Sequence, residues 1–394
     1  MSREAAAIAP AARVFARARA RLLPHALIAA VFLHAVGRFY APGDGFTPLI
    51  HFGAEFEGRS APALRTTAHF VETGRGYDAQ FYAQLALDPF LRERATITAL
   101  DNPPYRARRI LLPAIAHLLG LGEPWLVLQA YGLLNVVSWI ILGLVLLRWL
   151  PPGGTKRTLA WIGCVLSQGL LASVSQSLLE GPSLVLLALS VRAVERNRRR
   201  LAAVVLGLAG LARETNVLGI AVLAGDDRSP KAMISLLVQG LLVAMPLLMW
   251  TGYLWHLGLP AADIGSRNFA LPFQSYVEKW HLVLRAPIAA NKQMFLESGL
   301  LPLVALTTQA TALAWWRDYG NPWWRVGMAN AALMIVLGPA VWEGYPGAIT
   351  RAVLPMTVAF NILLPRARWF WPIWFLGNLN VVIGLDLMRI LAFW

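Results

Sequence analysis

Asp78 is an acidic residue whose surroundings suggest chemistry, because it lies in the sequence Gly-Tyr-Asp-Ala-Gln-Phe-Tyr at residues 76–82. A carboxylate flanked by aromatic residues at a membrane surface could accept a proton from a substrate whose head group reaches that surface. Tyr77, Gln80 and Tyr82 lie beside it and could bind the same substrate. The alternative is structural, because a short carboxylate that precedes a helix can accept hydrogen bonds from the first backbone N–H groups.

A second set of polar residues could bind a phosphate group or the rest of a substrate. Guanidinium groups bind phosphate oxygens bidentately and stay charged. The alternative for the arginines is that they reach lipid phosphates from the ends of membrane helices. The substrate-binding candidates in this set are Asp101, Tyr105, Arg106, Arg108, Arg109, Arg213, Glu214, Glu343, Tyr345 and Arg351.

Glu180 lies at the start of a predicted membrane helix. Its carboxylate could share a cavity with Asp78, or it could stabilise the N-terminal end of its own helix dipole. The histidines do not pair at the i, i+4 spacing of a helical metal site, and there is no HExxH, so neither a metal nor another cofactor is predicted. The motifs GxxxxGK[ST], GxGxxG and GxSxG are also missing, which argues against an NTP-driven pump and an α/β-hydrolase.

The composition predicts one integral membrane domain over residues 1–394. The chain is 57% hydrophobic and only 14% charged, whereas an average soluble domain is about 25% charged. An ordinary soluble enzyme is therefore excluded. The net charge of +14 favours membrane lipids and lipid-linked phosphates as partners rather than nucleic acid, since the arginine clusters lie between apolar segments.

We expect an all-α polytopic membrane protein with about 10–12 transmembrane helices, because about 20 apolar residues cross a bilayer. The apolar segments are 24–41, 123–147, 158–174, 178–194, 201–224, 232–256, 297–315, 326–342, 351–365 and 370–391.

Positive charge marks the cytoplasmic side of a membrane protein. The basic N-terminus, residues 1–23, and the arginine-rich run 192–200 are therefore predicted to face the cytoplasm. This orientation places the long loop 42–122 in the periplasm of a bacterial inner membrane, and a hairpin at residues 201–224 would place a second long loop, 257–296, there as well. Within the first loop, segments 79–87 and 110–119 are predicted to be helices that lie flat in the membrane interface.

Segment 201–224 has the pair Arg213-Glu214 at its centre. Charges at the middle of a bilayer are unfavourable by about 2.5–3.5 kcal/mol each. The segment could be one helix that buries the pair against its neighbours, or a hairpin of two short helices that turns at Arg-Glu-Thr-Asn. The hairpin puts the later basic pairs into short cytoplasmic loops, and we favour it for that reason.

Four short sequences resemble motifs of the GT-C superfamily of membrane glycosyltransferases. GYDAQFYAQLALDPF resembles the acidic motif in the first outer loop of GPI mannosyltransferases, and it is closer still to bacterial proteins of cell-surface glycopolymer formation. SQSLLEG, LARETNVLG and ITRAVLP are similar to later motifs of these families. Tyr77 stands where the mannosyltransferases have Trp, so the pattern does not specify the sugar.

The resemblance implies an inverting transferase without a cofactor, which moves a sugar from a polyprenyl-phosphate donor to an acceptor glycan, lipid or protein of the cell envelope. It implies that Asp78 is the general base, that arginines hold the phosphate, and that Glu180 positions substrate hydroxyls. The alternatives from other classes are a transporter or flippase of lipid-linked glycans, a polysaccharide polymerase or ligase, and a scaffold without activity.

Overall fold

The computed structural model describes residues 3–68, 70, 73–225, 229–259, 265–285, 299–345 and 347–391. Within these ranges the regular structure is helical, without strands. The α-helices are Arg3–Gly37, Ala54–Glu57, Pro62–Thr67, Ala79–Leu87, Arg94–Ala99, Pro103–Ala107, Leu111–Leu119, Pro124–Leu146, Thr155–Val165, Gln168–Ser175, Glu180–Glu195, Arg199–Ala212, Pro230–His256, Gln274–Arg285, Leu301–Trp316, Pro322–Val336, Pro339–Trp342, Ala348–Ala352, Leu354–Leu363, Phe370–Gly377 and Val381–Leu387. The 3-10 helices are Thr47–Ile50, Glu214–Leu223, Ser266–Asn268 and Leu364–Arg366.

Three helices in the described part of the chain are long and apolar enough to cross a membrane: Ala20–Gly37, Pro124–Leu146 and Pro230–His256. Two further spans are possible if bent helix pairs each count as one. The pairs are Thr155–Val165 with Gln168–Ser175, bent by 43°, and Phe370–Gly377 with Val381–Leu387, bent by 40°. The all-α architecture is confirmed, with three to five candidate spans, and the larger number of 10–12 stays a prediction.

The remaining apolar segments form shorter helices. Glu180–Glu195 and Leu301–Trp316 have 16 residues each, Pro322–Val336 has 15 and Leu354–Leu363 has 10. The first and the last two of these contribute to one large core cluster, to which Leu184, Val326 and Val358 belong.

The chain folds back at Arg213, as the hairpin alternative predicts. The helix Arg199–Ala212 ends there, Arg213 is extended (φ −156°, ψ 124°), and the 3-10 helix Glu214–Leu223 follows. The side chain of Asn216 donates to the carbonyl of Ala209 at 2.9 Å. Further along the two arms, the backbone of Gly219 lies so close to Leu206 that an added Cβ would be 2.6 Å from that side chain. Ala209 thus pairs with Asn216, and Leu206, three residues earlier, pairs with Gly219, three residues later. Pairing in opposite directions along the chain identifies an antiparallel hairpin.

The described residues between 42 and 122 form a helical subdomain, whose hydrophobic core includes Leu64, Leu85 and Leu112 and is shared with Leu128 and Leu179 of later segments. A helix is present at Ala79–Leu87, as predicted; its depth in the membrane interface stays a prediction, but its apolar side chains contact protein rather than lipid. All residues from Ala79 to Ala86 are buried, because the helix packs between Leu111–Leu119, Pro124–Leu146 and the smaller helices of the subdomain. An amphipathic pattern does not distinguish lipid from protein as the apolar surroundings.

The helix predicted at 110–119 is found at Leu111–Leu119. It buries Leu112 and Ala116 against its neighbours, whereas Leu118 and Leu119 are 71% and 64% exposed. Its exposed leucine edge is compatible with the expected contact to a membrane interface, which stays a prediction. Of the second loop, residues 260–264 and 286–296 lie outside the described residues.

Candidate active site

A cavity of about 480 Å³ lies where the subdomain of residues 42–122 meets several later parts of the chain. Among these parts are the start of helix Glu180–Glu195, the hairpin turn at Arg213, and helix Ala348–Ala352 with the loop before it. Most of the residues predicted to form the site line this cavity: Tyr77, Asp78, Asp101, Tyr105, Arg106, Arg108, Arg109, Glu180, Arg213, Glu214, Tyr345 and Arg351.

Asp78 is positioned by a close approach of two backbone segments. The N–H group of Tyr77 donates to the carbonyl of His51 at 3.0 Å. Gly76 has a φ of +61°, and a Cβ on it would lie 2.4 Å from the backbone nitrogen of Gly53. Only glycine fits this position without displacing the backbone. The structure therefore fixes the chain immediately before Asp78.

The carboxylate of Asp78 contacts an arginine instead of the helix behind it. Asp78 occupies the N-cap position of Ala79–Leu87, but its side chain accepts no capping hydrogen bond. Its Oδ1 accepts from Nη2 of Arg106 at 2.8 Å, and the side chain remains 39% exposed. The purely structural role as a helix cap is therefore wrong, and the carboxylate faces the cavity.

Arg106 joins two carboxylates. Its Nε and Nη2 donate to Asp101 at 2.9 and 2.7 Å, in addition to the bond with Asp78. Its guanidinium group is 8% exposed and lies over aromatic rings, those of Phe81, Tyr82 and Tyr105. Burial alone would raise the pKa of Asp78, but the charge and hydrogen bond of Arg106 outweigh burial and hold it below the ordinary value of 3.8. Asp78 is therefore ionised at neutral pH.

Arg109 has partners for each of its nitrogens. Nε and Nη2 bind the carboxylate of Glu214 at 2.8 and 3.0 Å, Nη1 donates to the hydroxyl of Tyr82 at 3.0 Å, and Nη2 also donates to Tyr105 at 2.9 Å. Arg109 thus connects the first subdomain to the hairpin turn. Arg108 is bound more loosely, since its closest carboxylate oxygen, on Glu214, is 3.8 Å away.

Glu180 lies between two arginines from distant parts of the chain. Its Oε1 accepts from Nη1 of Arg213 at 2.6 Å and from Nη1 of Arg351 at 3.4 Å. Glu180 lines the cavity together with Asp78, as one of its two predicted roles required. Four buried atoms around the cavity have no hydrogen-bond partner within the described ranges: Oε2 of Glu180 and Nε of Arg108, Arg213 and Arg351.

Tyr77 connects this arginine pair to the loop before helix Ala348–Ala352. Its hydroxyl accepts from Nη2 of Arg351 at 2.8 Å and donates to the carbonyl oxygen of Tyr345. Burial raises the pKa of Tyr77 to about 12. The hydroxyl therefore stays protonated at neutral pH and orients Arg351.

Three predicted site residues do not line the cavity. Gln80 is buried and holds the backbone before Asp78, accepting from the N–H of Gly53 and donating to the carbonyl of Arg75. Tyr82 is buried and contacts Arg109. Glu343 is exposed. Gln80 and Tyr82 therefore hold residues of the site in place from outside the cavity, and Glu343 is not part of the site.

Sequence reasoning missed the opposite wall of the cavity. Asn268 and Phe269 line it, together with Leu337 and Val341. The two segments are joined by backbone hydrogen bonds, such as that from Gly338 to Asn268 at 2.7 Å. These side chains carry no charge and belong to no recognisable motif, so only the packing of the chain reveals them.

The charges of the cavity suit an anionic ligand. Five arginines and four carboxylates line it, which leaves one net positive charge. Among the residues that the structure describes, no group of three or more His, Cys, Asp or Glu side chains could hold a metal ion. Comparison with protein-family models, with curated proteins and with solved structures finds no match for the chain.

Proposed function

We propose that the protein is an inverting membrane glycosyltransferase that takes a sugar from a polyprenyl-phosphate donor. One observation carries the proposal. The four sequences that resemble GT-C motifs each contribute to the same cavity, through Asp78, Glu180, Arg213 and Arg351, although the first and last of these residues are 273 positions apart. Side chains that meet in this way can combine a base with phosphate binding.

Asp78 is the general base of the proposed reaction. Its Oδ1 is held by Arg106, and its Oδ2 remains available to the acceptor. As the acceptor hydroxyl attacks the anomeric carbon, its proton moves to Asp78 and the new C–O bond forms. The bond between the anomeric carbon and the phosphate oxygen breaks on the opposite side, which inverts the configuration. The phosphate leaves as an anion, so no general acid is needed, unlike in ordinary glycoside hydrolysis.

The arginines divide between positioning and phosphate binding. Arg106 binds the carboxylates of Asp78 and Asp101, and each nitrogen of Arg109 has a partner, so we assign both to positioning. Arg108, Arg213 and Arg351 each have a buried Nε without a partner in the described part of the chain. These three are the candidates that bind the phosphate and stabilise its growing charge.

The proposed number of membrane helices and their orientation are those that the sequence predicts. We place 10–12 helices in a bacterial inner membrane, with the cavity facing the periplasm and an acceptor glycan, lipid or protein from the cell envelope. The short helices Glu180–Glu195, Pro322–Val336 and Leu354–Leu363 would count among the spans, tilted or surrounded by other helices. Neither a cofactor nor nucleic acid takes part.

Packing below the cavity favours a transferase over a transporter. The helices that descend from the cavity enclose a continuous core that contains Leu187, Val191, Val326 and Val358. A transport path would have to pass through these side chains. The polymerase and ligase alternative shares the lipid-linked donor and differs in the acceptor.

The test compares Asp78→Asn with the wild-type protein in lipid nanodiscs, with radiolabelled polyprenyl-phosphate sugars as donors and an envelope extract as acceptor. Asparagine keeps the size of the side chain but cannot accept the proton. We expect transfer to fall by about 10²- to 10⁴-fold, with donor binding retained. Asp44→Asn is the matched control, since Asp44 lies in the same subdomain but outside the cavity.

Equal transfer by Asp78→Asn and wild type would refute the assignment of the base. If the wild-type protein transfers no label from any donor in the panel, the transferase proposal itself fails.

A further inference from the structure

A second cavity, of about 590 Å³, lies among the ends of helices and is unrelated to the predicted motifs. Its lining combines basic and aromatic side chains with a few apolar ones. The residues that line it are Arg148, Trp149, Pro151, Arg157, Glu195, Asn321, Trp323, Ile362, Pro365 and Arg366.

This second cavity lies at the opposite end of the helices that form the first one. Helix Glu180–Glu195 begins in the first cavity with Glu180 and ends in the second with Glu195. A helix of this length separates its two ends by about 23 Å. Helix Pro322–Val336 connects the same two cavities in the opposite direction. Trp323, near its start, lines the second cavity, and Leu337, just after its end, lines the first.

Two candidate membrane spans end at the second cavity. Pro124–Leu146 ends just before Arg148, and the bent pair that begins at Thr155 carries Arg157 in its first turn. Trp149 and Trp323 meet edge to face in the cavity, with ring centroids 5.2 Å apart. Tryptophan is enriched where membrane meets water. If the two candidate spans cross the bilayer, the cavity at their ends lies at the depth of phospholipid head groups.

Basic side chains outnumber acidic ones at this cavity. Three arginines face one carboxylate, Glu195, whose Oε1 already accepts from Nε1 of Trp149 at 2.6 Å. Within the described ranges the guanidinium groups of Arg148 and Arg157 have no partner. Arg366 lies 3.7 Å from Asp318 in an exposed pair, which is weak in water. A cleft of like charges between apolar walls attracts counter-ions.

We propose that this cavity binds the phosphate group of an anionic phospholipid, at the end of the helix bundle opposite Asp78. The arginines would bind the phosphate oxygens, and the half-buried Trp149 would contact the glycerol and the upper acyl chains, with the buried Trp323 packed behind it. The binding goes beyond the proposed transfer reaction and does not require it, so either proposal can fail alone.

The experiment titrates the full-length protein in detergent with dioleoyl phosphatidylglycerol and counts bound lipids by native mass spectrometry. We expect the double variant Arg148→Gln/Arg157→Gln to bind the first lipid at least tenfold more weakly, since each charge-assisted hydrogen bond is worth about a factor of ten. The control is Arg196→Gln/Arg198→Gln, which removes equal charge from exposed arginines outside the cavity.

A parallel titration with dioleoyl phosphatidylcholine and with soluble glycerol 3-phosphate identifies the source of the phosphate. Preference for phosphatidylglycerol that is lost in the double variant and kept in the control supports the proposal. Equal losses in both variants would show that only overall charge matters and would overturn it. Binding of glycerol 3-phosphate as tightly as the lipid would also overturn it, in favour of a site for soluble phosphates. Arg366→Gln, at a 74% exposed side chain, provides a second variant that removes no packing.

Discussion

Glu180→Gln tests the central charge pair of the candidate active site. The carboxylate is only 8% exposed and lies 2.6 Å from Arg213 and 3.4 Å from Arg351. Glutamine keeps the shape but leaves two guanidinium groups side by side without a negative charge. With an effective dielectric constant of about 20, each attraction is worth roughly 5–6 kcal/mol before desolvation is subtracted. Removing one partner of a buried ion pair typically destabilises a protein by about 3–5 kcal/mol, and we expect a loss in that range.

The assay measures the free energy of unfolding in mixed detergent micelles, with and without inorganic phosphate. Phosphate should stabilise the Glu180→Gln variant more than the wild type, because it supplies the anion that the arginines have lost. Glu343→Gln is the control, since Glu343 is exposed and outside the cavity. If Glu180→Gln unfolds within about 0.5 kcal/mol of the wild type, as ordinary surface substitutions do, the ion-pair reasoning is refuted.

Three further predictions concern the surroundings of Asp78. Arg106→Gln removes the group that lowers the pKa of Asp78. The resulting loss in melting temperature should be largest at neutral pH and shrink as the pH falls below 3.8, because the ion pair stabilises the fold only while the carboxylate is charged. A loss in melting temperature that does not depend on pH would contradict this. Tyr77→Phe removes the hydroxyl that orients Arg351, so initial-rate assays should show a loss of transfer far smaller than that of Asp78→Asn; an equal loss would make Tyr77 part of the proton transfer. Gly76→Ala forces a Cβ into neighbouring backbone and should lower the yield of folded protein in size-exclusion chromatography far more than Gly74→Ala, which has a similar positive φ but open space around it.

Most of the charged residues that line the cavity could be predicted from residue types, but their pairings could not. Asp78, Glu180 and Arg351 stood out because charged groups are unfavourable next to apolar segments unless they have a role. Which arginine contacts which carboxylate depends on helix packing over long sequence separations. Arg106 and Arg109, for example, are neighbours in sequence but bind carboxylates of different segments.

Some features of the fold could also be predicted from the sequence, and others could not. The turn at Arg213 was predictable, since the unfavourable placement of charge within an apolar run is a local property of the sequence. The burial of helix Ala79–Leu87 was not, because its apolar pattern fits contact with lipid or with protein equally well. The wall formed by Asn268 and Phe269 carried no signal, since its position is set by backbone hydrogen bonds to a distant segment.

The short helices between the two cavities have a consequence for the membrane itself. A 16-residue helix such as Glu180–Glu195 is about 24 Å long, whereas the hydrocarbon layer is about 30 Å thick. If this helix crosses the bilayer inside the helix bundle, the bilayer around the bundle must thin by roughly 6 Å, or the cavity that contains Asp78 must lie below the head groups. In either case the lipid-linked phosphate of the proposed donor would reach the arginines without leaving its leaflet. The proposed transfer activity should then depend on acyl-chain length. Longer acyl chains make a thicker bilayer, which increases the distance that a water-soluble acceptor must penetrate to reach the cavity.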